Sequence, residues 1–197
     1  MVTHWIYLGI VALVAIERLV ELGISKRNAQ AAFDKGGKEY GQGHFGVMKF
    51  LHTSFLFAAP AEVILLDRPF SPWLFALCFV ALVGTMALRY WAIRSLRGRW
   101  NTRVIVVPDF PAEVGGPYKF LRHPNYVAVV IELAILPLMH GAWITALVWG
   151  VANFFLLRVR IGVEEEALSK ACDYDARMGG RRRFVPASSK DGQDVSE

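Results

Sequence analysis

Five consecutive residues near the middle of the chain combine a cation, an imidazole and a phenol at the predicted start of a helix. They are Arg122, His123, Pro124, Asn125 and Tyr126. Proline suits the first position of a helix, because the N–H that it lacks would have no partner there. The free N–H groups of a first helical turn attract anions. The stretch therefore predicts a site for an anionic or carboxylate-bearing ligand or, as the plainer alternative, side chains that anchor the helix at a membrane interface.

A second group of charged residues follows the last apolar segment. Arg160 and Glu164 are four residues apart, so on a continuing helix they share a face and can pair. Glu165 then projects about 100° away from Glu164. A carboxylate beside a guanidinium stays ionised near neutral pH. The spacing predicts a cation and an anion at one helix end. They either take part in catalysis or, in the plainer interpretation, form only a solvated ion pair.

Long apolar segments must position these two groups. The composition is 54% hydrophobic and the mean hydropathy is +0.35, which is too apolar for a soluble domain of 197 residues. A membrane-spanning helix needs about 20 mostly apolar residues. The candidate segments are residues 2–22, 45–66, 72–93, 126–139 and 142–157. The sequence therefore predicts an all-α integral membrane protein with about five transmembrane helices, of which the last two form a tight hairpin.

Lysine and arginine are concentrated in three polar stretches. Residues 25–44 carry four of them, residues 94–123 carry six and residues 158–197 carry eight, which is 18 of the 22 in the chain. Because cytoplasmic loops are enriched in basic residues, this distribution predicts an N-terminus outside and a C-terminus in the cytoplasm. The net charge of +5 follows from the same loops. We therefore expect a lipid bilayer as the partner and no nucleic-acid role.

Several ionisable residues lie within or beside the apolar segments. They are Glu17, Arg18, Glu21, Lys49, His52, Glu62, Arg89 and Glu132. A charged group that faces lipid costs about 2.5 to 3.5 kcal/mol. We expect these side chains to face the bundle interior as interhelical pairs or to extend toward the interface as snorkelling side chains, with direct ligand contact as the alternative. The histidines and the two cysteines do not have metal-ligand spacing, so no metal site is predicted.

Taken together, these residues resemble the isoprenylcysteine carboxyl methyltransferase family of integral membrane enzymes. The motifs are Gly116-Pro117-Tyr118, Arg122-His123-Pro124-x-Tyr126, a membrane hairpin, Arg160-x-x-x-Glu164-Glu165 and a terminal Arg183-Phe184-Val185-Pro186. With residues 96–108, the resemblance covers about residues 90–186. The chain differs from the family pattern at two places. Val127 and Ala128 follow the motif tyrosine where the family often has a glycine, and residues 171–175 replace the common Phe-Gly-x-x-Tyr.

The resemblance implies methyl transfer from S-adenosylmethionine to a carboxylate or hydroxyl oxygen of a lipophilic acceptor. It implies catalytic roles for Arg160 and Glu164. It implies cofactor-binding roles for Tyr118, Arg122, His123, Pro124, Tyr126 and Glu165. The pocket would lie on the cytoplasmic side, between residues 94–125 and the C-terminal helix. The acceptor stays open between an isoprenylcysteine-like compound or prenylated partner and an alkylpyrone or phenolic lipid.

The sequence also leaves two other functions open. Asn125-Tyr126 fits the Arg-His-x-Asn-Tyr signature that membrane NADPH-dependent sterol-type reductases carry. A non-enzymatic membrane adaptor or a small transporter would explain the charges in the apolar segments equally well. In the preferred interpretation, residues 1–186 form a single membrane methyltransferase domain, and residues 187–197 form a polar tail that is expected to be disordered.

Overall fold

The computed structural model describes residues 1–184, which form six α-helices, a short 3₁₀ helix and a two-stranded sheet. The helices are α1 (Val2–Phe33), α2 (Gln42–Leu65), α3 (Pro72–Ser95), α4 (Pro124–Leu138), α5 (Trp143–Ala171) and α6 (Tyr174–Met178). The strands are β1 (Lys38–Tyr40) and β2 (Val104–Val106), and the 3₁₀ helix is Gly116–Lys119. The tail predicted at residues 187–197 and the last two residues of the 1–186 domain lie outside the described residues.

The mostly helical fold is confirmed, with a small sheet that was not predicted. By length and composition, α2, α3 and α5 are long and apolar enough to cross a membrane. Helix α4 has 15 residues. At 1.5 Å per residue it is about 22 Å long, which is short of a hydrocarbon core of roughly 30 Å. The presence of three candidate spans supports an integral membrane protein, and the count of five spans stays a prediction.

Helices α4 and α5 form the predicted helical hairpin. Gly141 in its turn has φ +74°, a backbone conformation that glycine adopts without steric cost. Glu62 of α2 holds the start of α5, because its carboxylate accepts hydrogen bonds from the N–H groups of Ile144 at 3.1 Å and Thr145 at 2.6 Å. Arg68 lies 2.8 Å from the same carboxylate. Two N–H groups of the first turn are thus satisfied by an anion, which is the favourable charge at that helix end.

The charges inside the apolar segments form an ion-pair network between α1, α3 and α4. Arg89 Nη2 lies 2.9 Å from Glu132 Oε2, and Arg89 Nη1 lies 3.5 Å from Glu21 Oε2. Arg18 lies 2.9 Å from Glu21 and 2.7 Å from Glu17. Each of these side chains is less than one fifth exposed. The predicted interhelical pairing is therefore confirmed for this group.

Apolar side chains fill the bundle and also cover its outside. The largest buried cluster includes Tyr7, Phe55 and Leu136, which come from α1, α2 and α4. Large apolar side chains such as Phe57 and Trp73 are 72% and 87% exposed. A soluble monomer rarely exposes an apolar surface of this extent, whereas helices in a membrane turn such residues toward lipid.

The three basic stretches meet at one end of the bundle, which we call the polar end (residues 25–44, 94–123 and 158–184). Helix α1 continues to Phe33 and α5 to Ala171, so both extend beyond their predicted apolar segments. Strand β1 pairs antiparallel with β2, with Glu39 opposite Ile105. The N–H of Arg122 donates to the carbonyl of Arg182 at 3.1 Å, which ties the second stretch to the third.

Candidate active site

A cavity of about 530 Å³ lies within the polar end. Small-molecule sites usually measure about 300 to 1,000 Å³. Its wall is built by α1, the segments around β2 and the 3₁₀ helix, and the ends of α4, α5 and α6. The predicted site residues that line it are Tyr118, Arg122, His123, Tyr126, Arg160 and Glu164. The fold therefore brings both groups of residues from the sequence to one small volume.

The hydroxyl of Tyr126 links Arg160 to Glu164. Arg160 Nε donates a hydrogen bond to Tyr126 Oη at 2.7 Å, and the Tyr126 hydroxyl donates a hydrogen bond to Glu164 Oε2. Tyr126 lies in the first turn of α4, and the two charged residues lie one turn apart on α5. Packing of α4 against α5 therefore inserts the phenol between them. The i, i+4 spacing suggested direct pairing, and the structure instead shows a bridged pair.

One donor nitrogen of Arg160 has no partner among the described residues. The residue is 4% exposed, and its Nη2 donates to the carbonyl oxygen of Thr102 at 2.7 Å. Its Nη1 has no hydrogen-bond acceptor among residues 1–184. An unpaired buried donor costs about 1 to 3 kcal/mol, and more when it is charged. An acceptor oxygen placed against Nη1 would remove this cost.

Glu165 supports His123 from behind the cavity wall. His123 Nε2 lies 3.0 Å from Glu165 Oε1, and the His123 ring stacks on Tyr126 with 5.3 Å between ring centroids. Arg183 donates to the same carboxylate through Nε at 3.0 Å and Nη2 at 2.5 Å, and these hydrogen bonds raise the pKa of Arg183. Arg122 Nη1 lies 3.7 Å from Glu165 Oε1. The acidic residue thus orients the imidazole and two cations, and it does not line the cavity itself.

Pro124 and Tyr118 shape the wall. Pro124 begins α4, as predicted, and is fully buried. Tyr118 is 8% exposed, and its burial raises the pKa of its phenol, so the side chain stays neutral. Nearby Gly116 has φ +56°, and a Cβ there would lie 2.1 Å from Ser95 Oγ. Glycine at this position therefore lets the 3₁₀ helix approach α3 closely.

Two further residues, Thr102 and Asn125, had no role predicted from the sequence, although Asn125 belongs to the stretch 122–126 that predicted a site. Thr102 acts through its backbone carbonyl, which every residue type supplies, so the sequence holds no signal for it. Asn125 lines the cavity, and its buried Oδ1 has no donor in the part of the chain that the structure describes. A polar amide between Pro124 and Tyr126, at the start of an apolar helix, was the available signal.

Comparisons with known proteins identify the family of the chain. The profile of the isoprenylcysteine carboxyl methyltransferase (ICMT) family matches residues 75–170, which include every predicted site residue. An uncharacterized protein of Bacillus subtilis, YpbQ, is 34% identical over 161 residues, which is 82% of this chain and 95% of that protein. An uncharacterized protein of Haemophilus influenzae is 31% identical over 153 residues, which is 77% of this chain and 88% of that protein.

Proposed function

Because the chain belongs to the isoprenylcysteine carboxyl methyltransferase (ICMT) family, we propose that it transfers a methyl group from S-adenosylmethionine to a carboxylate or hydroxyl oxygen of a lipophilic acceptor. Membership in the family indicates a membrane methyltransferase. The cofactor, the oxygen chemistry, the acceptor and the cytoplasmic location are the finer parts of the proposal. The observation that carries it is that Arg160 and Glu164 both line the cavity and are joined through the Tyr126 hydroxyl, while the buried Nη1 of Arg160 has no partner among residues 1–184.

The residues at the cavity fit S-adenosylmethionine. The volume is sufficient for a ligand of that size class. The buried Oδ1 of Asn125 can accept a hydrogen bond from an ammonium or amino group of the ligand. When bound, S-adenosylmethionine supplies a methyl group that is already activated on a sulfonium. The protein then has to align the acceptor oxygen with that carbon, keep the oxygen deprotonated and exclude water.

In this proposal Arg160 holds the acceptor oxygen. Its Nε is fixed by Tyr126 and its Nη2 by the Thr102 carbonyl, and its Nη1, which has no partner among residues 1–184, is the donor nitrogen that we assign to the acceptor oxygen. A hydrogen bond from a guanidinium to a carboxylate or phenolate is charge-assisted and stronger than one between neutral groups. The same contact favours the deprotonated form of the acceptor, which is the nucleophilic form.

Glu164 has two roles open to it, and the acceptor decides between them. It either removes the proton of a hydroxyl acceptor or binds the ammonium group of the cofactor, in both cases from the position that the Tyr126 hydroxyl fixes. A carboxylate acceptor is already deprotonated and needs no base. Loss of transfer to a phenol with retained transfer to a carboxylate in Glu164→Gln therefore indicates the base, and equal loss with both indicates cofactor binding.

The exterior of the bundle suits an acceptor that arrives from the lipid phase. Phe50 and Phe57 on α2 are 74% and 72% exposed, and Phe155 on α5 is 61% exposed. An isoprenylcysteine-like compound, a prenylated partner, an alkylpyrone or a phenolic lipid would each partition into the bilayer next to such surfaces. The proposal therefore places the reactive oxygen at the polar end and the tail between helices.

Calorimetry on the purified protein tests the proposal against its rivals. We expect heat on titration with S-adenosylhomocysteine and none with NADPH. Heat with NADPH alone would support the reductase. The absence of heat with either ligand would support an adaptor or a transporter.

The cytoplasmic location of the site has its own test. A reporter fused to the C-terminus is expected to be active on the cytoplasmic side. Activity on the outer side alone would contradict the orientation and leave the chemistry to the calorimetric test.

A further inference from the structure

Ser25 connects α1 to the loop that precedes β2. The residue is 3% exposed, and its Oγ donates to Asn101 Oδ1 at 2.7 Å. The same oxygen accepts from the N–H of Thr102 at 3.0 Å and lies 2.8 Å from Thr102 Oγ1. A serine hydroxyl offers one donor and two acceptor positions. The loop therefore fills the whole hydrogen-bonding capacity of this side chain.

Asn101 connects Ser25 to the peptide unit between Thr102 and Arg103 by hydrogen bonds. Its Nδ2 donates to the carbonyl of Ser25 at 3.2 Å, and its Oδ1 accepts from the N–H of Arg103 at 3.1 Å. The N–H of Arg103 and the carbonyl of Thr102 belong to the same planar peptide. That carbonyl accepts from Arg160 Nη2 at 2.7 Å. The orientation of this peptide plane therefore determines where the guanidinium is held.

We propose that Ser25 is a positioning residue for Arg160: through Asn101 and the Thr102 carbonyl it holds the guanidinium in its place at the cavity wall. The inference rests on the proposed function, because the orientation of Arg160 matters for the methyl acceptor. Ser25 lies outside residues 75–170, which match the family profile. Helix α1 thus contributes to the reaction through contacts of its own.

Thr85 provides a matched control for a buried hydroxyl with a purely local role. It is 4% exposed, and its Oγ1 donates to the carbonyl of Ala81 in the same helix at 2.7 Å. Thr85→Val removes that hydroxyl without touching the loop. Ser25→Ala removes a hydroxyl of similar burial that is connected to Arg160 by hydrogen bonds through Asn101 and the Thr102 carbonyl.

A kinetic experiment compares these two variants. The probes are N-acetyl-S-farnesylcysteine, which carries a free carboxylate, and a long-chain alkylphenol, each with labelled S-adenosylmethionine. Ser25→Ala loses all three contacts of the hydroxyl. We expect its kcat to fall about tenfold, on the premise that misplacing Arg160 costs the transition state about as much as one buried hydrogen bond. The KM for S-adenosylmethionine and the affinity for S-adenosylhomocysteine should stay within about twofold of wild type. Thr85→Val should keep wild-type kcat. Equal losses in both variants, or a wild-type kcat in Ser25→Ala, would overturn the proposal.

An NMR measurement tests the positioning without catalysis. In protein labelled with ¹⁵N-arginine, the Nε–H signal of Arg160 is assigned by its loss in Arg160→Lys. We expect this signal to shift or broaden in Ser25→Ala and to stay unchanged in Thr85→Val. An unchanged signal in folded Ser25→Ala contradicts the positioning role even if the wild type methylates a probe. If the wild type methylates neither probe and does not bind S-adenosylhomocysteine, the proposed function fails, and a shifted signal still supports the positioning.

Discussion

Replacing Tyr126 by phenylalanine removes a single oxygen atom from the centre of the candidate site. That oxygen accepts from Arg160 Nε at 2.7 Å and donates to Glu164 Oε2. The phenylalanine ring keeps its place beside His123. The resemblance implies a cofactor-binding role for Tyr126, whereas the hydroxyl contacts the two catalytic candidates. We therefore expect the substitution to affect methyl transfer more than cofactor affinity.

The size of the effect follows from the two bonds that are lost. Each joins the phenol to a charged group, and such hydrogen bonds contribute about 1.5 to 3 kcal/mol. The loss leaves Arg160 with two unpaired donor nitrogens at a site that is 4% exposed. If one of the two bonds stabilises the transition state, kcat falls about 10- to 150-fold, since 1.36 kcal/mol corresponds to a factor of ten.

The assay is transfer of a labelled methyl group to the two probes, together with calorimetry of S-adenosylhomocysteine. Tyr7→Phe is the matched control, because Tyr7 is fully buried and its hydroxyl has no partner among residues 1–184. We expect wild-type kcat in Tyr7→Phe and a large loss in Tyr126→Phe. A folded Tyr126→Phe protein with wild-type kcat would refute the claim that the phenol couples Arg160 and Glu164.

Three further predictions concern the residues around this bridge and the hairpin. The losses of kcat in Arg160→Ala and Glu164→Ala should be non-additive, because the two residues act through the same Tyr126 hydroxyl. In the transfer assay the double variant should be little slower than the slower single variant. A double variant whose loss equals the product of the two single losses would show that the residues act independently. His123→Ala should weaken the binding of S-adenosylhomocysteine in calorimetry, because the substitution removes an imidazole that lines the cavity. An unchanged affinity in a folded variant would exclude His123 from the cofactor site. Glu62→Gln should lower the free energy of unfolding by about 1 to 3 kcal/mol, because the start of α5 and Arg68 lose a charged hydrogen-bond acceptor. Slower methyl transfer with an unchanged melting temperature would contradict a purely structural role of Glu62.

The elements with strong local signals could be predicted from the sequence. The hairpin followed from two apolar runs separated by two residues, and the start of α4 followed from Pro124. The extension of α1 to Phe33 could not be predicted in this way, because the last turns of α1 are polar and are stabilised by contacts with distant residues such as Trp100. The sheet was missed for a similar reason. Its three-residue strands pair across more than sixty residues of chain, so no local pattern marks their register.

The site was predictable as a set of residues and only partly as an arrangement. Spacing placed Arg160 and Glu164 on one face of α5, and it could not show that Tyr126 of another helix would lie between them. The carbonyl of Thr102 was invisible because a backbone group has no residue-type signal. Ser25 looked like a polar residue after an apolar segment, and its meaning came only from the loop that packs on it.

The central claim is methyl transfer to a lipophilic oxygen acceptor with Arg160 at the reaction site. The most direct measurement incubates membranes that contain the protein with S-adenosylmethionine carrying a deuterated methyl group, followed by mass spectrometry of the lipid extract and the prenylated probe. We expect an oxygen-linked labelled methyl group with the wild type and its loss with Arg160→Ala, which leaves the acceptor oxygen without the Nη1 donor. Absence of the label with the wild type, or equal labelling with Arg160→Ala, would contradict the account.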